Sequence, residues 1–141
     1  AGHLTIFDRS WYGRVLVERI EGFASEEEWK RAYAEINDFE DQLIENGTIL
    51  VKFWMHITPE EQLKRFKARK RTSFKRWKLT GEDWRNRARW YEYETAAHDM
   101  VKYTSTHVSP WEIVPANNKN FARIRMLETF GDYLEAALRD A

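Results

Sequence analysis

Near the start of the sequence an aspartate and two arginines sit close together, in F-D-R-S-W-Y-G-R, Phe7 to Arg14. Asp8 closes a short apolar run, L-T-I-F-D from Leu4, that reads as a buried parallel strand. A carboxylate at the carboxyl end of such a strand lies where open α/β sheets bind ligands. The hard cation Mg²⁺ takes oxygen ligands of this kind. Arg9 and Arg14 beside it suit phosphoryl transfer, because guanidinium groups offset charge on the moving group and grip its oxygens in a fixed fork. A plainer reading fits the same residues, with Asp8 as a helix cap and Arg9 as its ion-pair partner. Spacing alone leaves both open.

The second candidate is a run of charge. Leu63 to Thr80 (L-K-R-F-K-A-R-K-R-T-S-F-K-R-W-K-L-T) holds nine bases and no acid: Lys64, Arg65, Lys67, Arg69, Lys70, Arg71, Lys75, Arg76 and Lys78. Self-repulsion makes such a density costly unless an anion is expected. It suits a polyanion, either nucleic acid or an inorganic phosphate chain; the bland alternative is a solvated helix face. Arg85, Arg87 and Arg89 follow beside Trp84 and Trp90. Arg85 and Arg89 are four apart and share a helix face. Interleaved Trp and Arg can stack bases, or the tryptophans can simply pack. His3, His56, His98 and His107 show no metal-ligand spacing, and neither Ser10 nor Ser25 has a partner histidine in view.

Composition narrows the field. A chain of 141 residues suits one domain with a real core. With 43% hydrophobic and 33% charged residues it is not a disordered tail. The absence of cysteine removes disulfides, thiolate zinc sites and cysteine nucleophiles. No apolar run approaches the roughly 20 residues that span a bilayer. The formal net charge of zero hides two opposed blocks: Glu18 to Glu45 carries ten acids against three bases, and the run from Leu63 is purely basic.

These residues need elements to hold them. After the first strand, Ser10 can cap a helix over Trp11 to Ile20, and Gly22 breaks it. Ser25 with Glu28 forms a capping-box pattern, and Trp29, Ala32, Tyr33, Ile36, Phe39, Leu43 and Ile44 recur at helical spacing up to Gly47. Thr48 to Ile57 (T-I-L-V-K-F-W-M-H-I) is the strongest strand. Thr58 and Pro59 open a helix that carries the basic run. A long helix is expected from Gly81 to about Tyr103, a third strand over Trp111 to Val114, and a last amphipathic helix from Asn120 to Leu138, with Phe121, Ile124, Leu127, Phe130 and Leu134 in phase. Strands alternating with helices imply a parallel sheet and the α/β class. Three strands make a thin sheet, and the first begins close to residue 1. The sequence is therefore expected to be the later part of a longer α/β domain.

The strings F-D-R-S-W-Y-G-R-V-L-V-E-R-I-E-G-F, I-L-V-K-F-W-M-H-I, E-Q-L-K-R-F, K-R-W-K-L-T-G-E-D-W-R-N-R and P-W-E-I-V-P-A-N-N-K-N-F-A-R-I together resemble the polyphosphate kinase 2 family, over nearly the whole chain. The resemblance implies a P-loop kinase-type three-layer α/β/α sandwich with a parallel sheet and a helical lid at about 59–104, incomplete in this chain. It implies Mg²⁺-dependent phosphoryl transfer between inorganic polyphosphate and a nucleotide. By matching motif, Asp8 looks like the Walker B aspartate near the metal. Arg9 and Arg14 look like phosphate-binding arginines. Arg65, Arg69, Lys75, Lys78 and Arg87 look like substrate-phosphate contacts of the lid, and Asn117, in the Val114 to Asn117 loop, a contact to the nucleotide base. The string Y-G-R-V-L-V-E-R-I-E-G-F is more similar to members that convert AMP to ADP than to members that convert ADP to ATP.

The family's phosphate loop, G-x-x-x-x-G-K, does not occur in the sequence. Its strand would sit centrally in the sheet, and its backbone N–H groups and lysine would cradle the phosphates. The 141 residues by themselves are thus expected to be inactive and poorly folded. Expected partners are polyphosphate, AMP or ADP and further copies of the chain, in the cytoplasm, with neither membrane nor nucleic acid. Two other readings remain: an ATP-dependent nucleoside monophosphate kinase of thymidylate-kinase type, which shares a D-R motif and basic lid, and a non-enzymatic module that binds polyanions or nucleic acid.

Overall fold

The structure, a computed structural model, describes residues 2–8 and 10–139. Arg9, named above, lies outside the described residues. The segment Trp11–Val15 winds as a 3₁₀ helix and leads into α1 (Val17–Glu21), in place of one continuous helix. Gly22 ends α1 in the left-handed region at φ 74°, a conformation that L side chains rarely adopt. Ser25 then caps α2 (Glu26–Glu45) with the full capping box. The Ser25 N–H donates to Glu28 Oε2 at 2.8 Å, and the Glu28 N–H donates to Ser25 Oγ at 3.4 Å.

Beyond α2 come β1 (Lys52–His56), α3 (Pro59–Arg71), a 3₁₀ helix at Ser73–Lys78, α4 (Gly81–Ala88), α5 (Trp90–Thr104), β2 (Trp111–Pro115) and α6 (Lys119–Arg139). β1 and β2 pair in parallel, with Lys52 opposite Trp111 and His56 opposite Pro115. The α/β class and the parallel sheet are as expected. Among the described residues the sheet has two strands, not three. Leu4 to Asp8 forms no strand, and Leu4, Ile6 and Phe7 are exposed. A strand must satisfy its backbone groups on a neighbour. β1 and β2 pair with each other, and the phosphate-loop strand that the resemblance puts in the middle of the sheet is not among these residues.

Two further expectations are corrected. The long helix from Gly81 is broken at Arg89, between α4 and α5. The Arg89 guanidinium reaches both Glu92 (2.7 Å) and Glu21 on α1 (3.5 Å), a tertiary tie invisible to local periodicity. In α6 the expected apolar face stays open: Phe121, Ile124, Leu127 and Leu134 are exposed. The inward side is instead made of Ala122, Met126 and Thr129, and Ala122 packs with Val114 and Ala116. Small side chains let the helix approach β2 closely.

The larger core gathers Tyr12, Val15, Ala32, Tyr33, Ile36 and Met100, with Trp11, Trp29, Trp54 and Trp111 packed around them. Inside it lies an ion pair. Lys52 and Glu40 are 5% and 1% exposed, and Lys52 Nζ donates to Glu40 Oε2 at 2.7 Å. The other Lys52 hydrogens go to Tyr12 Oη at 3.1 Å and the Thr104 carbonyl at 2.7 Å. Glu40 Oε1 accepts from Trp11 Nε1 (3.1 Å) and Tyr12 Oη (2.7 Å), and Oε2 also accepts from Ser109 Oγ (3.1 Å). Every ammonium hydrogen and both carboxylate oxygens are thus used, which is the condition for a buried pair to be tolerated.

Removing the cap by Ser25→Ala should lower stability by about 1 kcal/mol in urea unfolding, while Ser25→Asp should stay near wild type. The interior network also sets an alkaline limit. Burial, and next the bond to Glu40, push the Tyr12 phenol far above its ordinary value. Above about pH 10 the unfolded chain loses this proton and the folded chain keeps it, so stability falls with rising pH by at most about 1.4 kcal/mol per unit. Lys52 acts in the opposite sense: desolvation holds it below the usual lysine value, so stability rises with pH through its window. Comparing wild type with Tyr12→Phe at about pH 9 and about pH 11 isolates the tyrosine, since both chains keep Lys52. The variant should show the shallower alkaline loss; equal slopes would contradict the network.

Candidate functional site

Asp8 lies just before the Trp11–Val15 turn. It is exposed, and among the described residues its carboxylate has no hydrogen bond or ion pair. The preceding Phe7 packs edge-on against Trp11 with ring centroids 5.3 Å apart, which ties this end of the chain to the core. Arg14, at the far side of the turn, pairs with Glu18 at 3.2 Å in a half-exposed contact. Such surface pairs contribute little and are readily exchanged for a stronger anion. No group of three His, Cys, Asp or Glu that could enclose a metal exists among the described residues. Mg²⁺ rarely needs one: it is commonly held by one or two carboxylates, with water and substrate phosphates completing the shell. One free carboxylate at Asp8 fits that donor set.

The segment expected to form the lid starts with α3. Thr58 caps the helix, its Oγ1 accepting from the Glu61 N–H at 3.3 Å, and Pro59 takes the first position. The Thr58 N–H in turn donates to Asn117 Oδ1 at 3.0 Å. Arg65 Nη2 donates to the carbonyls of Ala116 (2.6 Å) and Asn117 (3.1 Å), and its Nε donates to Glu61 at 2.8 Å. That last bond holds the Glu61 carboxyl below the usual range. Arg87 Nη1 donates to the Pro59 carbonyl (2.7 Å) and to Gln62 Oε1 (3.1 Å). The structure therefore brings Arg65, Arg87 and Asn117 together, and their polar atoms join α3 to α4 and to the loop after β2.

The rest of the basic run is differently disposed. Lys64 and Arg65 share Glu61; among the described residues Lys67, Arg69, Lys70, Arg71, Lys75, Arg76 and Lys78 have no carboxylate partner. Lys64, Lys67 and Arg71 follow one another at three and four residues along α3, so they share a face. With Glu60, Leu63, Ala68 and Arg87 they line an open groove of about 470 Å³. Arg69 is half-buried on the neighbouring stripe with Arg65. Lys75 and Lys78 lie over the exposed rings of Phe74 (5.3 Å) and Trp77 (5.2 Å). No contact joins these lid bases to Asp8 or Arg14 among the described residues.

Two structural features escape a reading by motif. The groove stripe was legible in the 64–67–71 spacing, which a choice of single bases passes over. Glu40 and Lys52 carried weaker signals: a lysine inside an apolar strand, and a glutamate four residues past Ile36 on the apolar phase of α2. The acidic block around Glu40 disguised it as a surface charge.

Comparison with known proteins follows the same lines. The family model described as polyphosphate kinase 2 matches residues 1–141. The polyphosphate:AMP phosphotransferase of Pseudomonas syringae pv. tomato is 57% identical over 136 residues, 96% of this chain and 27% of that protein. ADP-polyphosphate phosphotransferase 2 of Rhizobium meliloti is 42% identical over 127 residues, 90% of this chain and 42% of that protein. The crystal structure of polyphosphate kinase 2 from Arthrobacter aurescens shares the fold with a TM-score of 0.89 at 43% identity, covering 92% of this chain and 46% of that one. The chain spans less than half the length of each of these proteins.

Arg65 and the unpaired bases should respond differently to removal. Arg65→Met breaks charge-assisted bonds at the lid root and should cost about 2 kcal/mol in thermal or urea unfolding. Changing Lys67, Lys70 and Arg71 together to glutamine should leave stability within about 0.5 kcal/mol. The same triple change should weaken binding of a polyanion and flatten its salt dependence, by on the order of one unit of log–log slope for every phosphate-binding base removed. Unchanged salt dependence would remove these bases from the binding surface.

Proposed function

The chain belongs to the polyphosphate kinase 2 family, and on that premise we propose that the protein containing it transfers a phosphoryl group from inorganic polyphosphate to AMP, forming ADP. The observation that carries this reading is the row of bases from Lys67 on α3 through the following 3₁₀ helix to Lys78, for which no carboxylate partner exists among the described residues. Like charges in such a row repel one another, and an anion of matching extent relieves that repulsion; a phosphate chain is one. The choice of AMP is supported by the identity of 57% to a polyphosphate:AMP phosphotransferase, against 42% to an ADP-polyphosphate phosphotransferase.

In this reading Lys67, Arg69, Lys70, Arg71, Lys75 and Lys78 hold the polyphosphate. Arg14 leaves Glu18 to bind the phosphoryl group in flight, and Arg9 is assigned the same task by its motif. Asp8 is the residue that would hold Mg²⁺, which when bound supplies positive charge against the phosphate oxygens. Arg65, Arg87 and Asn117 fix the lid root beside the base-binding loop, which begins at Ala116 because β2 extends to Pro115. Catalysis is then mainly positioning and electrostatic stabilisation of a loose transition state. The cradle of a G-x-x-x-x-G-K loop is not supplied by these 141 residues. A cytoplasmic setting and self-association belong to this proposal. Among the described residues no helix is long and apolar enough to cross a membrane.

The complete protein given polyphosphate and AMP, without ATP, should form ADP. Formation of ADP only when ATP is the donor would favour a nucleoside monophosphate kinase instead. Asp8→Asn should lower turnover by about 10²-fold or more while polyphosphate still binds. Undiminished turnover would take Asp8 out of the site.

A further inference from the structure

The interior ion pair reaches the stretch of chain that carries Asp8 and Arg14, on which the proposed transfer step depends. Residues 2–8, upstream of the Trp11–Val15 turn, are exposed and paired to no strand, and the Phe7 ring on Trp11 is what ties them to the fold beside Asp8. Ser10 offers the turn no side-chain cap. Among the described residues, Trp11 and Tyr12 are the first after Asp8 to be held by side-chain hydrogen bonds, both to Glu40 Oε1; Tyr12 Oη also accepts from Lys52. Glu40 comes from α2 and Lys52 from β1, and the pair is completed by Thr104 of α5 and Ser109 before β2. The turn is thereby referenced to four separate parts of the fold.

We propose that Glu40 and Lys52 are positioning residues for phosphoryl transfer: through Trp11 and Tyr12 they fix the turn that separates Asp8 from Arg14, and so the placement of both. This rests on the phosphotransfer reading above. Stability alone gives little reason for the arrangement. A buried pair can often be replaced by apolar residues of similar volume with no loss. What the apolar replacement lacks is direction: two oxygens and three hydrogens aimed at particular donors and acceptors. In-line transfer is sensitive to direction, since a displacement of about 1 Å can reduce rate by about 10²-fold.

The informative variant is Tyr12→Phe in the complete protein. It keeps the ring contact with Trp111 (4.7 Å between centroids), the Lys52–Glu40 bond and the Trp11 bond to Glu40, and removes the hydroxyl through which both Glu40 and Lys52 reach the turn. With polyphosphate and AMP, kcat should fall about tenfold or more, while KM for each substrate stays within about threefold. Amide hydrogen exchange should quicken in the peptide 7–16 and stay unchanged in 26–45. A paired change, Glu40→Gln with Lys52→Met, leaves no buried charge unpaired and should show the same split. A kcat for Tyr12→Phe within about twofold of wild type, or unchanged exchange in 7–16, overturns the proposal. Should the wild-type protein fail to use polyphosphate at all, the phosphotransfer reading falls by itself. The exchange measurement then decides alone whether the network holds the turn.

Discussion

A lysine and a glutamate closed off from water organise this molecule. Lys52 and Glu40 lie in the core with their hydrogens and oxygens fully committed. Breaking such a pair by removing one partner strands a charge in the interior, which costs several kcal/mol. The elements that supply the network therefore have one compatible arrangement. α2 must present Glu40 inward, β1 must begin at Lys52, α5 must end with the Thr104 carbonyl exposed to the ammonium, and the Trp11–Val15 turn must lie across them. The register Lys52 opposite Trp111 follows, and the Lys52 ammonium sits 5.3 Å from the Trp111 ring. The high tryptophan content has a physical role here: large rings with one donor can wall off the charge and still satisfy it.

From this core the lid extends as a second, lighter system. It is joined at its root by Arg65, Arg87 and Asn117 through bonds to backbone carbonyls and to Thr58. Farther out, bases with no carboxylate partner among the described residues accumulate. The two ends of the segment thus use the same residue types in opposite ways, tied to other elements of the fold at the root and left without counter-charge beyond it. A zero net charge for the whole chain conceals this division. Eight of the balancing acids lie on α2, where Glu26 pairs with Lys30 and Glu35 with Arg31, while Glu40 turns inward to Lys52.

Much of this was legible in the sequence, for local reasons. Ser25 and Glu28 announce the start of α2 because capping chemistry is contained within one turn. Strands read from sequence at Thr48–Ile57 and Trp111–Val114, where β-branched and aromatic residues cluster, contain or nearly match the observed Lys52–His56 and Trp111–Pro115. The basic run and Asp8 are visible as residue types, and the family resemblance assigns them a chemistry. What was not legible depends on distant partners. Leu4 to Asp8 has strand composition, but composition does not supply a neighbouring edge. Arg89 interrupts a helix whose periodicity is unbroken, and its side chain reaches Glu21 of α1, a partner that local spacing does not reveal. Glu40 looks like one acid among ten until α2 is placed against β1. Arg65 looks like any other base of its run until the loop at Ala116 is seen beside it.

The proposed phosphotransfer depends above all on where a phosphate chain lies. The direct measurement is the structure of the complete protein with inorganic polyphosphate and AMP bound. Phosphates should lie along the face of Lys67 and Arg71 and continue past Lys75 and Lys78 towards Asp8 and Arg14, with Tyr12 still bonded to Glu40. Polyphosphate bound on another surface, with these bases left in solvent, would contradict the proposed function.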